Sequence, residues 1–134
     1  MSLLEVRAIR VLSDRMVFNV CFPEERFRLT DGAIAARAAA LRPNLPEHAC
    51  VNPKGNRFRA VMGCTSMPHL LEHCIIDFLV EEAAGPSDSF QGTSRWTDRE
   101  AGFATIQISM KDDLAVLRAF KRAVRFLEEE VISY

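Results

Sequence analysis

Residues 65–82, TSMPHLLEHCIIDFLVEE, predict a long helix with apolar residues on most of its surface. Thr65 and Ser66 are residue types that cap helices, and Pro68 suits a first turn, where its missing N–H costs no hydrogen bond. Gly85-Pro86 is the expected stop signal. The helix should pack into the protein core through its large apolar side chains, which are Leu70, Leu71, Cys74, Ile75, Phe78 and Leu79.

A row of ionisable side chains runs along this predicted helix. His69 and His73 are four residues apart, so their imidazoles lie on one side of a helix with 3.6 residues per turn. Two imidazoles so placed can bind one Zn²⁺ through bonds of about 2.0–2.1 Å. Glu72 directly precedes the second histidine, where its carboxylate can act as a general base. This His-x-x-Glu-His order is the inverted form of the zinc-protease signature.

A catalytic zinc normally has three protein ligands, and the two histidines supply only two. Asp77 lies four residues after His73 on the same side of the helix, and it is the first choice for the third metal ligand. Ligands at i, i+4 and i+8 span about 12 Å of helix, however, so Asp77 is also a candidate for orienting His73 from behind. Glu100, in a predicted hairpin loop, is the alternative third ligand.

Two other interpretations use the same residues. His48, Cys50 and Cys64 could join the helix histidines in a structural zinc site, although their spacing fits no standard module. Alternatively, both histidines are satisfied by hydrogen bonds at the edge of the core, and Glu72 pairs with a neighbouring base.

Length and composition predict one ordinary domain that spans residues 1–134. With a formal net charge of −1, no general attraction to nucleic acid or to anionic membranes is expected. No apolar run reaches the ~18 residues of a membrane span, and no signal peptide is evident. The four cysteines show no paired spacing, so we expect free thiols and a cytoplasmic location.

The rest of the chain predicts two β-hairpins and two further helices. Strands are expected over 4–12, 16–22, 90–96 and 102–110, and the other helices over 32–41 and 113–132. Residues 44–55 are predicted to be loop, and residues 56–62 fit either a helical turn or a strand. The order of elements predicts an α+β domain, an antiparallel sheet of about four strands with helices packed on one face.

Several motifs occur in an order that resembles the N-terminal domain of cyanophycin synthetases. That domain carries a Leu-Pro-x-Leu-x-x-His-x-Cys stretch, which residues 41–50, LRPNLPEHAC, resemble. The family then has a His-x-x-Glu-His helix with an acidic residue four positions on, as at residues 69–77, and a Gly-x-Thr-Arg-x-Thr segment, as in GTSRWT at 92–97. A long C-terminal helix ends both. The resemblance covers roughly residues 41–131.

This resemblance implies a metal-dependent hydrolase. Some family members cut cyanophycin, a poly-aspartate chain that carries arginine on isopeptide links. The His-x-x-Glu-His order is also similar to that of the pitrilysin-type peptidases, which share an α+β layout. The place of Arg95 in the family pattern implies a catalytic role, in which it holds a substrate carboxylate or steadies an oxyanion. The alternative for Arg95 is an ion pair with Asp98 or Glu100.

The function that follows is a zinc-dependent hydrolase of peptide or isopeptide bonds, with cyanophycin-like polymers among the expected substrates. Synthesis is not expected, because these residues include no ATP-binding or ligase-like domain. The alternative function is a catalytically silent binding or assembly module that keeps the fold without the metal. The sequence leaves open whether a partner completes the site, and a homo-oligomer is compatible with it.

Overall fold

The computed structural model describes residues 2–83 and 90–132. Elements in these two ranges are, in chain order, β1 (Glu5–Val11), β2 (Arg15–Cys21), α1 (Gly32–Leu41), β3 (Ala49–Asn52), β4 (Gly55–Arg57), α2 (Met67–Ala83), β5 (Gly92–Asp98), β6 (Phe103–Ser109) and α3 (Asp113–Phe126). Four strands form one antiparallel sheet in the order β1-β2-β6-β5, and β3 pairs with β4 in a separate small hairpin. The predicted strands of the main sheet are all present, with ends displaced by two residues at most.

One face of the sheet carries the protein core because successive residues of a strand point to opposite faces. Met16, Phe18 and Val20 of β2 are buried on this face, and Phe18 stacks on Phe120 of α3 with ring centroids 4.1 Å apart. Helix α2 packs against α3, β5 and β6. The structure therefore confirms the predicted α+β fold, an antiparallel sheet with helices on one face.

The prediction of an uninterrupted loop over residues 44–55 is wrong. These residues contain a 3₁₀ turn, Leu45–Glu47, followed by β3, and β4 begins at Gly55. The hairpin is held by Asn52, whose side-chain amide donates to the carbonyls of Cys50 and Arg57, both at 3.1 Å. A strand of only four residues shows no useful periodicity, so the sequence pattern missed it.

The ends of the helices follow local capping chemistry. At the start of α2, the Ser66 hydroxyl accepts a hydrogen bond from the His69 N–H at 3.2 Å, which supports the predicted cap. The predicted stop at Gly85-Pro86 lies outside the described residues. Asp112 caps α3 by accepting from the N–H groups of Leu114 and Ala115, and a π-helical turn, Leu127–Val131, continues α3.

The described residues also bear on the expectations about membrane-spanning segments and about the cysteines. No helix among them is long and apolar enough to cross a membrane. All four cysteines are free thiols, as expected.

Candidate metal centre

Three side chains from two elements form a group that could hold a metal ion. Cys50 of β3 and the α2 residues His69 and His73 each offer one donor atom, and these atoms lie within 4.8 Å of one another. The Cys50 Sγ and the His69 Nε2 are 3.5 Å apart. Tetrahedral zinc with Zn–N bonds of about 2.05 Å and Zn–S bonds of about 2.3 Å requires about 3.5 Å between such donors. The spacing of Cys50 and His69 is therefore compatible with a shared metal ion, and all three donors are of types that zinc accepts.

The second ring nitrogen of each histidine in the group has a hydrogen-bond partner. His69 Nδ1 lies 2.8 Å from the Thr65 hydroxyl, one helical turn back. His73 Nδ1 lies 3.2 Å from His48 Nδ1, and His48 Nε2 lies 2.9 Å from the Asp77 carboxylate. Histidines that bind metals typically donate their second N–H to a partner, which fixes the tautomer and the orientation of the ring.

One assignment of protons gives a donor and an acceptor to each hydrogen bond in the row Asp77–His48–His73. The Asp77 carboxylate accepts from His48 Nε2–H, so His48 Nδ1 is left as an acceptor. His73 Nδ1–H then donates to His48, and the His73 Nε2 lone pair is free to bind a metal. The row therefore selects the tautomer of His73 that a metal ion requires.

The electrostatics keep both helix histidines neutral. Burial lowers the pKa of His69. Burial, together with the neighbouring His69 and His48, lowers the pKa of His73 to about 3. Because only the neutral imidazole binds a metal, both histidines are ready to do so at neutral pH without losing a proton.

Asp77, the first choice for the third ligand, is not in this group. Its Oδ2 accepts from the Arg42 Nε at 2.7 Å, and its Oδ1 faces His48. Burial alone would raise the pKa of Asp77, but the hydrogen bonds from His48 and Arg42 outweigh it and the pKa is lowered. Asp77 thus acts on His73 only through His48, and the third position falls to Cys50.

Glu72 is buried beside the group. Its carboxylate Oε2 is 3.8 Å from His73 Nε2, and the residue is 5% exposed. Burial raises the pKa of Glu72 to about 7, although a hydrogen bond from Ser94 partly opposes the rise. A carboxylate with a pKa near neutrality is suited to accept and return a proton at the pH of most cells.

Phe58 contacts the imidazoles of both helix histidines. Its ring stacks on His73 with centroids 4.1 Å apart and meets His69 edge-on at 5.0 Å. Phe58 is fully buried in the 3₁₀ turn after β4. This contact fixes the plane of both rings, and the sequence pattern gave no sign of it.

The group lies in a cavity of about 760 Å³, within the range of small-molecule and cofactor sites. Both helix histidines and Glu72 line the cavity. Its walls also include Ala49–Val51 on the β3 side and Gln91–Ser94 on the β5 side. Exposed residues on both walls, Val51, Gln91 and Thr93, open the cavity to solvent.

Arg95, Glu100 and Cys64 are not among the residues that line this cavity. Arg95 is exposed and follows Ser94 on β5; because Ser94 faces α2, Arg95 points to the opposite face of the sheet. Glu100 lines a separate pocket next to Trp96, at the tip of the β5–β6 hairpin. Cys64 is exposed and accepts from the Lys54 ammonium at 3.2 Å. The structure therefore does not bring Arg95 or Glu100 to the predicted site.

The sequence held a partial signal for Cys50. It lies two residues after His48, and the sequence makes both of them candidate ligands of a structural zinc site together with the helix histidines. The structure divides these roles: Cys50 offers a donor atom to the group, whereas His48 supports His73 from behind.

Neither models of known protein families nor the sequences of curated proteins match this chain. The geometry of the cavity and of the side chains that line it is therefore the basis for a proposed function.

Proposed function

We propose that this protein is a zinc-dependent hydrolase of peptide or isopeptide bonds, with Cys50, His69 and His73 as metal ligands and Glu72 as the general base. The observation that carries the proposal is the placement of Glu72. A buried carboxylate with a pKa of about 7 lies 3.8 Å from a ligand nitrogen, inside the cavity that the ligands line.

The zinc ion and the side chains around it would have different roles in the reaction. Zinc would polarise a substrate carbonyl and lower the pKa of water, which makes water a nucleophile at neutral pH. Glu72 accepts the proton of the attacking water and returns it to the leaving amine. The His73–His48–Asp77 row keeps the His73 imidazole in place while the neighbouring Glu72 gains and loses its proton.

The free edge of β5 supports a substrate with an extended main chain. No strand among the described residues pairs with β5 on the side away from β6. Ser109 N–H donates to the Gln91 carbonyl at 2.8 Å. Because hydrogen-bonded pairs alternate along an antiparallel ladder, Gly92 and Ser94 direct their N–H and C=O groups away from β6. Both residues line the cavity, so a peptide can add to β5 as a further strand.

In the described part of the chain, the cavity has no basic side chain that could bind a substrate carboxylate. Among the described residues that line the cavity there is no lysine or arginine, and Glu72 is the only acidic residue. A cyanophycin-like substrate needs no such side chain for its main chain, because its aspartate carboxyl groups are already in amide bonds, and this main chain would lie along β5.

The test compares Glu72→Gln with wild type. Glutamine is nearly isosteric but cannot take the proton, so we expect about one zinc per chain in both proteins and a 10²–10⁴-fold loss of turnover in the variant. The substrates are aspartate–arginine isopeptide oligomers and generic peptides. Glu82→Gln is the matched control, because Glu82 lies on the same helix but pairs with Arg118.

The metal arm of the experiment distinguishes the hydrolase from a silent binding module. Protein purified without chelator should contain zinc in wild type and in Cys64→Ala, and should lose it in His69→Ala and Cys50→Ala. Wild type with clearly sub-stoichiometric zinc, or equal turnover by wild type and Glu72→Gln, would contradict the proposal.

A thiol hydrolase is a second candidate, because the same atoms resemble a Cys–His pair. Cys50 Sγ is 3.5 Å from His69 Nε2, and Thr65 holds the other nitrogen of that ring at 2.8 Å, as the third member of a catalytic triad would. Cys50→Asp separates the candidates, because aspartate is a zinc ligand but not a thiol. Zinc hydrolysis predicts inhibition by chelators and residual activity in Cys50→Asp; thiol hydrolysis predicts the reverse of both.

A further inference from the structure

The outer edge of the main sheet carries an unusual row of exposed apolar side chains. β1 is the last strand on the side away from β5, and all seven of its residues are exposed. Val6, Ile9 and Val11 are 46%, 41% and 55% exposed. They account for three of the seven large apolar side chains that are exposed in the described part of the chain.

These three side chains lie on the helix-covered face of the sheet. They are opposite Val20, Phe18 and Met16 of β2, in that order, and these partners are core residues. Directly opposite residues on neighbouring strands share a face. Val6, Ile9 and Val11 therefore extend the apolar core to the sheet edge, beyond the part that the helices cover.

A β-bulge gives β1 this pattern. The pairing with β2 shifts between Val6 and Ala8, so Arg7 is an extra residue. Val6 and Ile9 are three residues apart, a spacing that would place them on opposite faces of a regular strand. The bulge brings both to the core face. It also leaves Glu5, Ala8 and Arg10 together on the other face, opposite Cys21, Asn19 and Val17 of β2.

We propose that β1 pairs antiparallel with β1 of a second copy of this chain, about a two-fold axis at Ala8, so that two sheets become one sheet of eight strands. When the bulge is counted as one position, Glu5 lies opposite Arg10 of the partner subunit, and Val6 lies opposite Ile9 of the partner subunit. Each contact occurs twice because the axis makes the two copies equivalent.

The charges select this register. With the axis at Ile9, Arg10 lies opposite an alanine, and with the axis at Arg10 the two arginines lie opposite each other. Only the axis at Ala8 places Glu5 of each copy opposite Arg10 of the other copy. Arg10 has no ion pair with any described residue, and Glu5 contacts only the exposed Arg7, at 3.5 Å. Arg10 can therefore pair with a partner, and Glu5 can do so by exchanging or sharing its exposed contact with Arg7.

The backbone also has free groups at this edge. Leu12 N–H donates to the Arg15 carbonyl at 2.9 Å, so alternation along the ladder directs Ala8 and Arg10 toward β2. Ile9 and Val11 consequently point their N–H and C=O groups outward, where a second strand can pair with them. Backbone, apolar and charged groups all match a second copy in the same register.

The test measures the mass of the full chain over a range of concentrations by sedimentation equilibrium. We expect a dimer for wild type. Glu5→Arg and Arg10→Glu each create two like-charge contacts and should weaken the dimer several-fold or more, whereas the double variant restores opposite charges and should restore it. Arg99→Glu, in the turn between β5 and β6, is the matched control. Ile9→Lys should give monomers with an unchanged circular dichroism spectrum, because Ile9 is already exposed in one copy.

A wild type that stays monomeric at every concentration reached would overturn the proposal. A dimer that tolerates Ile9→Lys would place the interface on another surface. A double charge swap that fails to restore the dimer would show that the register is wrong. None of these results depends on hydrolytic activity, so the proposal stands or falls separately from the zinc hydrolase.

Discussion

Asp77 shows how one residue can support the proposed metal ligands without being one of them. It lies at the far end of a row in which His48 connects it to His73, and Arg42 holds its other oxygen. Helix spacing alone could not show this arrangement. Helix spacing places Asp77 on the correct side of α2. Its two partners are distant in the chain, because Arg42 lies at the end of α1 and His48 in the turn before β3.

Removal of the His48 ring should weaken metal binding. His48→Leu leaves His73 Nδ1 without its acceptor, so the imidazole loses its fixed tautomer and orientation. We expect a 10–100-fold weaker zinc affinity, which is the usual effect of losing such a partner. Competition with a zinc-binding dye measures it, with Cys64→Ala as control. An unchanged affinity in a folded His48→Leu protein would show that the row has no influence on the metal.

Asp77→Asn should lower stability in a pH-dependent way. The folded protein lowers the pKa of Asp77 below its ordinary value of 3.8, so the ionised carboxylate stabilises the fold above that pH. This stabilisation is lost as the pH falls through the folded-state pKa. We expect Asp77→Asn to cost ~3 kcal/mol at pH 7, the scale for breaking a buried ion pair.

Urea unfolding of wild type and Asp77→Asn at several pH values measures this difference. It should shrink steadily below pH about 4, whereas the exposed control Asp14→Asn should show little difference at any pH. A difference between the two proteins that is constant with pH would exclude an ionised Asp77 as its cause.

Among the secondary-structure elements, those with regular periodicity were predictable and the one that completes the site was not. The strands and helices of the main layer show periods of two and 3.6 residues over seven residues or more, which is enough to identify them. The β3–β4 hairpin has a paired strand of only three residues, Gly55–Arg57. Its stability comes from Asn52 and from the buried Phe58, so its existence, and hence the role of Cys50, depends on tertiary contacts.

The close approach of β5 to α2 gives a prediction for Gly92. A methyl group on Gly92 would lie 2.9 Å from the Glu72 Cγ and 3.1 Å from both the Glu72 Oε2 and the Ile108 Cδ1. Gly92→Ala should therefore displace Glu72, lower stability by roughly 1–3 kcal/mol and reduce turnover, while the zinc content stays the same.

Gly32→Ala is the control for Gly92→Ala, because nothing lies within 4 Å of the added methyl. Alanine is also the better helix residue, so stability should rise slightly, by about 0.5 kcal/mol. Thermal unfolding and zinc analysis of both variants check these outcomes. A Gly92→Ala protein with normal activity would show that Glu72 is not held as tightly as the contact implies.

For the molecule as a whole, the cluster joins two separate parts of the fold. Cys50 belongs to the small hairpin, and both histidines belong to the central helix. Zinc should therefore bind the folded chain far better than the unfolded chain. At a free zinc concentration 100 times the dissociation constant we expect about 2.7 kcal/mol of added stability.

Denaturant unfolding with and without zinc tests this gain, and His69→Ala should abolish it. An equal gain in wild type and in His69→Ala would mean that zinc acts elsewhere on the protein.

The strand order β1-β2-β6-β5 has a consequence for avidity. In a dimer joined at β1, the two β5 strands form the outer margins of one sheet, about 34 Å apart at roughly 4.8 Å per strand spacing. A repetitive polymer longer than this distance would reach both margins at once. The second attachment would then be intramolecular, and its strength would follow from the local concentration of repeats around the first site. Such a dimer would favour long polymers over short oligomers without any extra contact to the individual repeat.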